Sequence, residues 1–307
     1  MGCSKKILTL FFILTAIAQG VGAQPASSNF DSKALLQNVE RLSADDMDGR
    51  AIGTAGIEKA RSFLLERFAK TGLRSFNGGY LQRFEYKGKM NGANIVGYIE
   101  GSRQPGRYIV VTAHYDHLGE RGGKIYNGAD DNASGTAALL ALAEYFRKNR
   151  PANSIVFAAF DGEEENLLGS KKFVERPPVA LGSIVVNVNL DMISRSVKNE
   201  LYAVGPRQYP VLKPYIDEVA RDAGVKLLLG HDGSRNGGED WTKQSDHYPF
   251  HKKGIPFVYF GVEDHPDYHK PTDDFANIDQ AFYVQAVEVV LSTIKLFDKN
   301  LGATQKK

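Results

Sequence analysis

The stretch Tyr108-Ile109-Val110-Val111-Thr112-Ala113 is an apolar, β-branched run that ends on His114-Tyr115-Asp116. A near-continuous run of this kind reads as a strand buried on both faces, as in a parallel sheet. With Arg107 it spans Arg107 to Ala113. The same design recurs three times. Ser154 to Phe160 ends at Asp161, Glu163 and Glu164, and Ser183 to Leu190 ends at Asp191. Ile255 to Gly261 is followed by a loop carrying His265 and His269. Helical segments stand between the strands: Ser134 to Asn149, Gly169 to Glu175, Pro210 to Ala223, with Asp279 to Phe297 as the last. Alternation of this kind predicts an α/β fold, a three-layer sandwich with a mixed, mostly parallel central sheet and helices on both faces. Ligands of such sheets bind at the carboxyl ends of the strands. Here those ends carry His, Asp and Glu four times over.

Toward the N-terminus, Asp31 to Ser43 and Ile57 to Thr71 read as amphipathic helices, the second stopped by Gly72. Tyr80 to Tyr86 and Ala93 to Ile99 read as strands. The chain has 307 residues, 42% of them hydrophobic, which is a globular composition. Its 38 Lys+Arg against 36 Asp+Glu leave too little positive charge for a nucleic-acid binder that works by a basic surface. The single cysteine, Cys3, allows no intramolecular disulfide and no thiolate zinc site.

Lys5 and Lys6 precede an apolar run from Ile7 to Ala18, and Val21 and Ala23 are small residues at a peptidase exit. This describes a secretory signal peptide over residues 1–23, cut after Ala23. A retained or lipid anchor is the alternative, but Cys3 lies before the apolar run and Lys6 spoils a myristoylation pattern. Cleavage removes two lysines and leaves residues 24–307 formally neutral and free of thiols, as suits a secreted or periplasmic protein. That part is expected to be a single domain and a monomer, with no membrane span.

The chemistry lies at the strand ends. His114 and Asp116 are spaced so that a carboxylate can hold one imidazole nitrogen while the other faces a metal; alone, they are also an ordinary charged loop. Asp130-Asp131-Asn132-Ala133-Ser134 precedes a helix, where one acid is an ordinary cap but two are not. Asp161-Gly162-Glu163-Glu164-Glu165 follows a buried strand directly. Adjacent glutamates there can divide labour, one holding metal and one taking a proton. Asp191 lies in apolar surroundings, where a charge needs a partner or a metal. His269 lies in a polar loop before the last helix.

Imidazole and carboxylate without thiolate suit zinc. Two histidines and three carboxylates exceed the needs of one catalytic zinc but fit two per chain that share a carboxylate. Two Zn²⁺ are then balanced by three carboxylates and one hydroxide.

The strings Ala-His-Tyr-Asp-His, Gly-Ala-Asp-Asp-Asn-Ala-Ser-Gly, Gly-Glu-Glu-Glu-Asn-Leu-Leu-Gly-Ser, Asn-Leu-Asp-Met-Ile, Ser-Asp-His-Tyr-Pro-Phe and Tyr-His-Lys-Pro-Thr-Asp resemble, in order, those of the secreted di-zinc aminopeptidases. The likeness covers Asn94 to Asp279, and Asp48 to Thr54 (Asp-Gly-Arg-Ala-Ile-Gly-Thr) also fits. The resemblance implies His114 and Asp191 on one zinc, Glu164 and His269 on the other, and Asp130 as the bridge. It implies that Asp116 orients His114 and that Glu163 is the general base, which takes a proton from the bridging water and returns it to the leaving amine. Tyr268 would polarise the substrate carbonyl. The substrates would be peptide N-termini.

Relatives set the alternatives. Glutaminyl cyclases use one zinc and cyclise N-terminal glutamine, but the continuation after Glu164 is that of the aminopeptidases. Glutamate carboxypeptidases carry extra domains. A non-catalytic peptide-binding domain would have lost Glu163 or a ligand. Trp241, Tyr248 and Phe250 are candidates to line a pocket for the first side chain, or simply to pack their loop. Asp246 and His247 are expected to support from behind.

Overall fold

Four parallel strands form the centre of the molecule because their largely apolar residues are buried on both sides. The computed structural model describes residues 1–2, 29–233 and 239–301, so the expected signal peptide and its cleavage point lie outside the described residues. In chain order the elements are α1 (Ser32–Leu42), α2 (Ala55–Thr71), β1 (Arg74–Ser75), β2 (Leu81–Tyr86), β3 (Lys89–Ile99) and β4 (Gln104–His114). Then come β5 (Gly119–Arg121), β6 (Lys124–Tyr126), α3 (Gly135–Lys148), β7 (Asn153–Phe160), α4 (Leu168–Glu175) and β8 (Ile184–Leu190). The rest is β9 (Glu200–Val204), α5 (Lys213–Ala220), β10 (Lys226–Leu229), α6 (His247–Lys252), β11 (Phe257–Gly261) and α7 (Gln280–Asn300).

Among the described residues, one sheet runs β1-β3-β7-β4-β8-β11-β9-β10, with β2 beside β3. The contacts β7–β4, β4–β8 and β8–β11 are parallel; β3 and β9 pair antiparallel at the flanks. This is the mixed, mostly parallel sheet the sequence predicts. Alternate residues serve opposite faces. Ile155, Phe157 and Ala159 of β7 meet α1, α2, α3 and α7 in one core, while Val156, Ala158 and Phe160 meet Phe173 of α4 and Phe250 of α6 in the other. Truncating a fully buried ring such as Phe157 to Ala would cost about 3–5 kcal/mol. Helix starts are capped by side chains: Asp31, Thr54 and Asp279 each accept a backbone N–H three residues on. Among the described residues no helix is long and apolar enough to cross a membrane.

Three features depart from the sequence reading. β9 and β10 extend the sheet beyond β11, and β5–β6 form a small separate hairpin. The helix expected over Pro210 to Ala223 is a 3₁₀ turn, Pro210–Leu212, followed by the shorter α5.

Candidate metal centre

The carboxyl ends of β7 and β8, the turn before α3 and the loop after β11 open into one cleft of about 580 Å³. Asp131, Glu163, Glu164, Asp191 and His269 line it, together with Met192, Trp241, Tyr259 and Tyr268.

His114 is the last residue of β4 and is buried. Its Nδ1 faces the backbone carbonyl of Asp116 at 3.1 Å, and a carbonyl can only accept, so Nδ1 carries the hydrogen. That leaves Nε2 directed at Asp191 Oδ1 at 3.2 Å and Asp131 Oδ1 at 3.3 Å. Such an outer contact fixes the tautomer a metal needs. The Asp116 carboxylate, expected to orient His114, stands farther off at 3.6 Å. It accepts instead from the backbone N–H groups of Glu163 and Glu164, at 3.1 and 3.3 Å. Asp116 therefore braces His114 through its carbonyl and the two glutamates through its carboxylate.

A second donor group lies beside the first. His117 Nδ1 is 2.8 Å from Glu164 Oε1 and 3.6 Å from Asp131 Oδ2. His269 Nε2 reaches the same pair, 3.1 Å from Asp131 Oδ2 and 3.4 Å from Glu164 Oε2. One ligand atom each from His114, Asp131 and Asp191 cluster within 4.8 Å, as do those from His117, Asp131 and Glu164. Asp131 belongs to both groups.

Asp130, the acid expected to be shared, belongs to neither group. Ala129–Ser134 is a single wide turn leading into α3, and the two acids point opposite ways along it. Asp130 Oδ1 accepts from the N–H and the hydroxyl of Ser194, both at 2.7 Å, and its Oδ2 lies 3.1 Å from His265 Nε2. The Asp273 carboxylate accepts from the backbone N–H groups of both Asp130 and Asp131 at 3.0 Å, which pins the turn. Burial, with Asp130 nearby, pushes the Asp273 carboxyl up to about 6. Gly128 starts the turn at φ 56°, where a Cβ would sit 2.1 Å from the Asp131 carbonyl and 2.6 Å from the His117 ring. Only glycine fits there.

The electrostatics separate the adjacent acids. Burial, countered by His114 but reinforced by Asp191, Asp246 and Glu164, pushes the Glu163 carboxyl well above its usual range. Burial also acts on Asp131, but His117, His114 and His269 outweigh it and hold this carboxylate well below its usual range. Burial alone would depress the His269 imidazole; hydrogen bonds to Asp131 and Glu164 push it up to about 10. This surplus of buried carboxylate around three imidazoles fits a site for cations, and with nitrogen donors present it suits zinc.

The remaining expectations divide. Asp191 accepts from Ser245 Oγ at 2.6 Å, so it is held by a hydroxyl and by His114, not by a buried Lys or Arg partner. Tyr268 stacks on His269 at 4.0 Å between ring centroids and borders the cleft. Trp241 lines the cleft, but Phe250 lies in the core beside Phe160 and Phe173, and Tyr248 faces His251 and Lys252. His247 is buried against Phe257 and Tyr259, and burial depresses its imidazole to about 3. Asp246 is buried too, and burial raises its carboxyl to about 7. Sequence reasoning missed His117, Asp131 as the shared acid, and Tyr259 on the cleft wall. His117 closes the Ala-His-Tyr-Asp-His string and Tyr259 lies on a recognised strand, so both signals were within view.

A family model, Peptidase family M28, matches residues 94–294. The chain belongs to peptidase family M28. Among M28-like relatives, aminopeptidase YwaD of Bacillus subtilis is 32% identical over 195 residues, which is 61% of this chain and 40% of YwaD. A glutamate carboxypeptidase 2 homolog of Caenorhabditis briggsae is 30% identical over 218 residues, 60% of this chain and 27% of the homolog. The chain thus spans less than half the length of these curated relatives. Of solved structures, the zinc aminopeptidase BSAP of Bacillus subtilis has a TM-score of 0.70 at 21% identity, covering 88% of this chain and 96% of that one. Glutaminyl cyclase of Porphyromonas gingivalis has a TM-score of 0.72 at 21% identity, covering 87% and 99%. At that identity the likeness establishes the fold alone, and peptidase and cyclase share it.

Proposed function

We propose that residues 24–307 form a zinc-dependent aminopeptidase that removes the first residue of peptides, exported by a signal over residues 1–23. The observation that carries this reading is the pair of donor groups sharing Asp131 in one cleft. His114 and Asp191 would hold one zinc, His117, Glu164 and His269 the other, and Asp131 both. Zinc bound there would supply Lewis-acid polarisation of a carbonyl and a water acidified to near neutral pH.

This chain's residues do the rest. Glu163 borders the cleft with an elevated pKa, which suits a group that takes a proton from water and returns it to the leaving amine. Asp116 fixes the backbone of Glu163 and Glu164. Tyr268, on the cleft wall beside His269, is placed to steady the substrate carbonyl. Trp241 and Tyr259 offer aromatic surface to the first side chain. Completeness of both donor groups favours the peptidase over a cyclase that needs one zinc.

The test compares an unblocked peptide with its N-acetylated form, using protein loaded with Zn²⁺. Cleavage of the unblocked peptide alone, with two zincs per chain, is expected. Equal cleavage of both would refute an aminopeptidase, and cyclisation of glutaminyl peptides with one zinc would favour the cyclase.

A further inference from the structure

The Asp48-Gly49-Arg50 segment is remote in sequence from every donor of the metal centre, yet its arginine reaches the backbone behind that centre. Arg50 is completely buried. Among the described residues its guanidinium contacts no carboxylate. Nε donates to the carbonyl of Tyr115 at 2.9 Å, Nη1 to those of Leu42 and Asn127, both at 2.6 Å, and Nη2 to that of Gly128 at 3.0 Å. In return the Arg50 carbonyl accepts from the N–H of His117 at 3.2 Å.

Three of the four acceptors adjoin the site; the fourth, Leu42, ends α1. Tyr115 lies between His114 and Asp116. Asn127 and Gly128 lead into the turn that carries Asp131, and the Gly128 carbonyl also accepts from Ala133 N at 3.1 Å to close that turn. One planar fork therefore joins the end of β4 to the start of the turn, and so ties His114 and His117 to Asp131.

The segment is shaped for this task. Asp48, Gly49 and Arg50 all have positive φ, at 51°, 64° and 53°. A Cβ on Gly49 would lie 2.6 Å from the carbonyls of Gly119 and Tyr126. Left-handed residues in succession are costly for L-amino acids and persist only where packing imposes them.

We propose that Arg50 is a positioning residue that holds the two metal-bearing segments in register before metal arrives, so that zinc meets a preformed site. The inference rests on the two-zinc reading of the cleft. A fork with four spread acceptors does what a lysine cannot, because an ammonium is a single point. Arg50→Lys keeps the charge and loses most of the fork.

The test is the affinity of the full chain for Zn²⁺, read by competition with a chromophoric chelator well below the melting temperature. Arg50→Lys is expected to bind Zn²⁺ roughly 10- to 100-fold more weakly than wild type, the usual scale for outer-shell changes. Phe297→Leu, in α7 and away from the cleft, lowers stability and is expected to leave Zn²⁺ affinity unchanged; this separates positioning from general stability. Arg50→Lys with wild-type affinity overturns the proposal.

Should the variant fail to fold, hydrogen exchange on the wild type decides. The amides of His117 and Ala133 are expected to stay protected after chelation, and exchange at open-loop rates in the metal-free protein overturns preformation. If the wild type binds no Zn²⁺ at all, the reading of the cleft fails instead, while the exchange result, compared between wild type and Arg50→Lys, still judges whether Arg50 holds the two segments in register.

Discussion

Two single substitutions separate the acids of the Asp130–Asp131 pair. Asp131→Asn removes the charge that faces His114, His117 and His269 at 3.3, 3.6 and 3.1 Å. Removing one partner from a buried charge cluster costs about 3–5 kcal/mol. If that cost falls on metal binding, affinity drops by roughly 10²- to 10⁴-fold, at about 1.4 kcal/mol per decade.

Asp130→Asn leaves the cleft alone. The amide oxygen still accepts from Ser194, but an NH₂ replaces the oxygen that faces His265. One charge-assisted hydrogen bond is lost, about 2 kcal/mol, which for a domain of this size lowers Tm by roughly 3–4 °C.

The assays are zinc content after equilibrium dialysis, by emission spectroscopy, and a thermal melt of each protein. Asp131→Asn should lose metal and activity; Asp130→Asn should keep both zincs and melt earlier. Zinc lost from folded Asp130→Asn and retained by Asp131→Asn would refute the assignment of the shared acid and restore the sequence-based one.

Further outcomes follow from the same geometry. Glu163→Gln should keep its zinc and lose roughly 10²–10⁴ in kcat, the contribution expected of a general base; near wild-type turnover would remove Glu163 from that role. His117→Ala should lower zinc content below two per chain, because its ring borders only the second donor group; unchanged content leaves His269 as the sole imidazole there. His247 is buried, and burial depresses its imidazole from the ordinary 6.5 to about 3, so below pH 6.5 the unfolded chain takes a proton the folded chain refuses. Its contribution is whole above about pH 6.5 and is lost at about 1.4 kcal/mol per unit as pH falls toward 3. The urea midpoints of metal-free wild type and His247→Phe, measured from pH 7 to 5, should converge or cross as the wild type weakens faster; parallel slopes count against a neutral buried histidine.

Much of this architecture was legible because hydrophobic periodicity is a local property. β4, β7, β8 and β11 are near-continuous apolar runs of strand length, which a sequence displays directly. β9 was missed for the same reason. Glu200–Val204 is short, carries one acid, and becomes a strand only because its backbone pairs with β11 and β10. The β5–β6 hairpin turns at Gly122-Gly123, a turn signal whose flanking strands are too short to show alternation.

The site divides along the same line. His114, Glu163, Glu164 and Asp191 could be read because each follows a strand, and a strand end fixes where the next residues emerge. Asp131 could not be told from Asp130 because a turn carries no such rule. Which acid faces inward is set by Asp273, 142 residues away, gripping the turn's N–H groups, and by Ser194 and His265 claiming the other carboxylate. His117 was hidden by its neighbour. The spacing of His114 and Asp116 already accounts for one imidazole and its carboxylate partner, and nothing local marks the next residue as a further donor. The Asp116 carbonyl faces His114, its carboxylate turns to Glu163 and Glu164, and the next residue brings another imidazole against Glu164 and Asp131. The local motif therefore supplies the donor types, and long-range hydrogen bonds choose which of them face one another. That is why the discriminating experiments here are substitutions one residue apart.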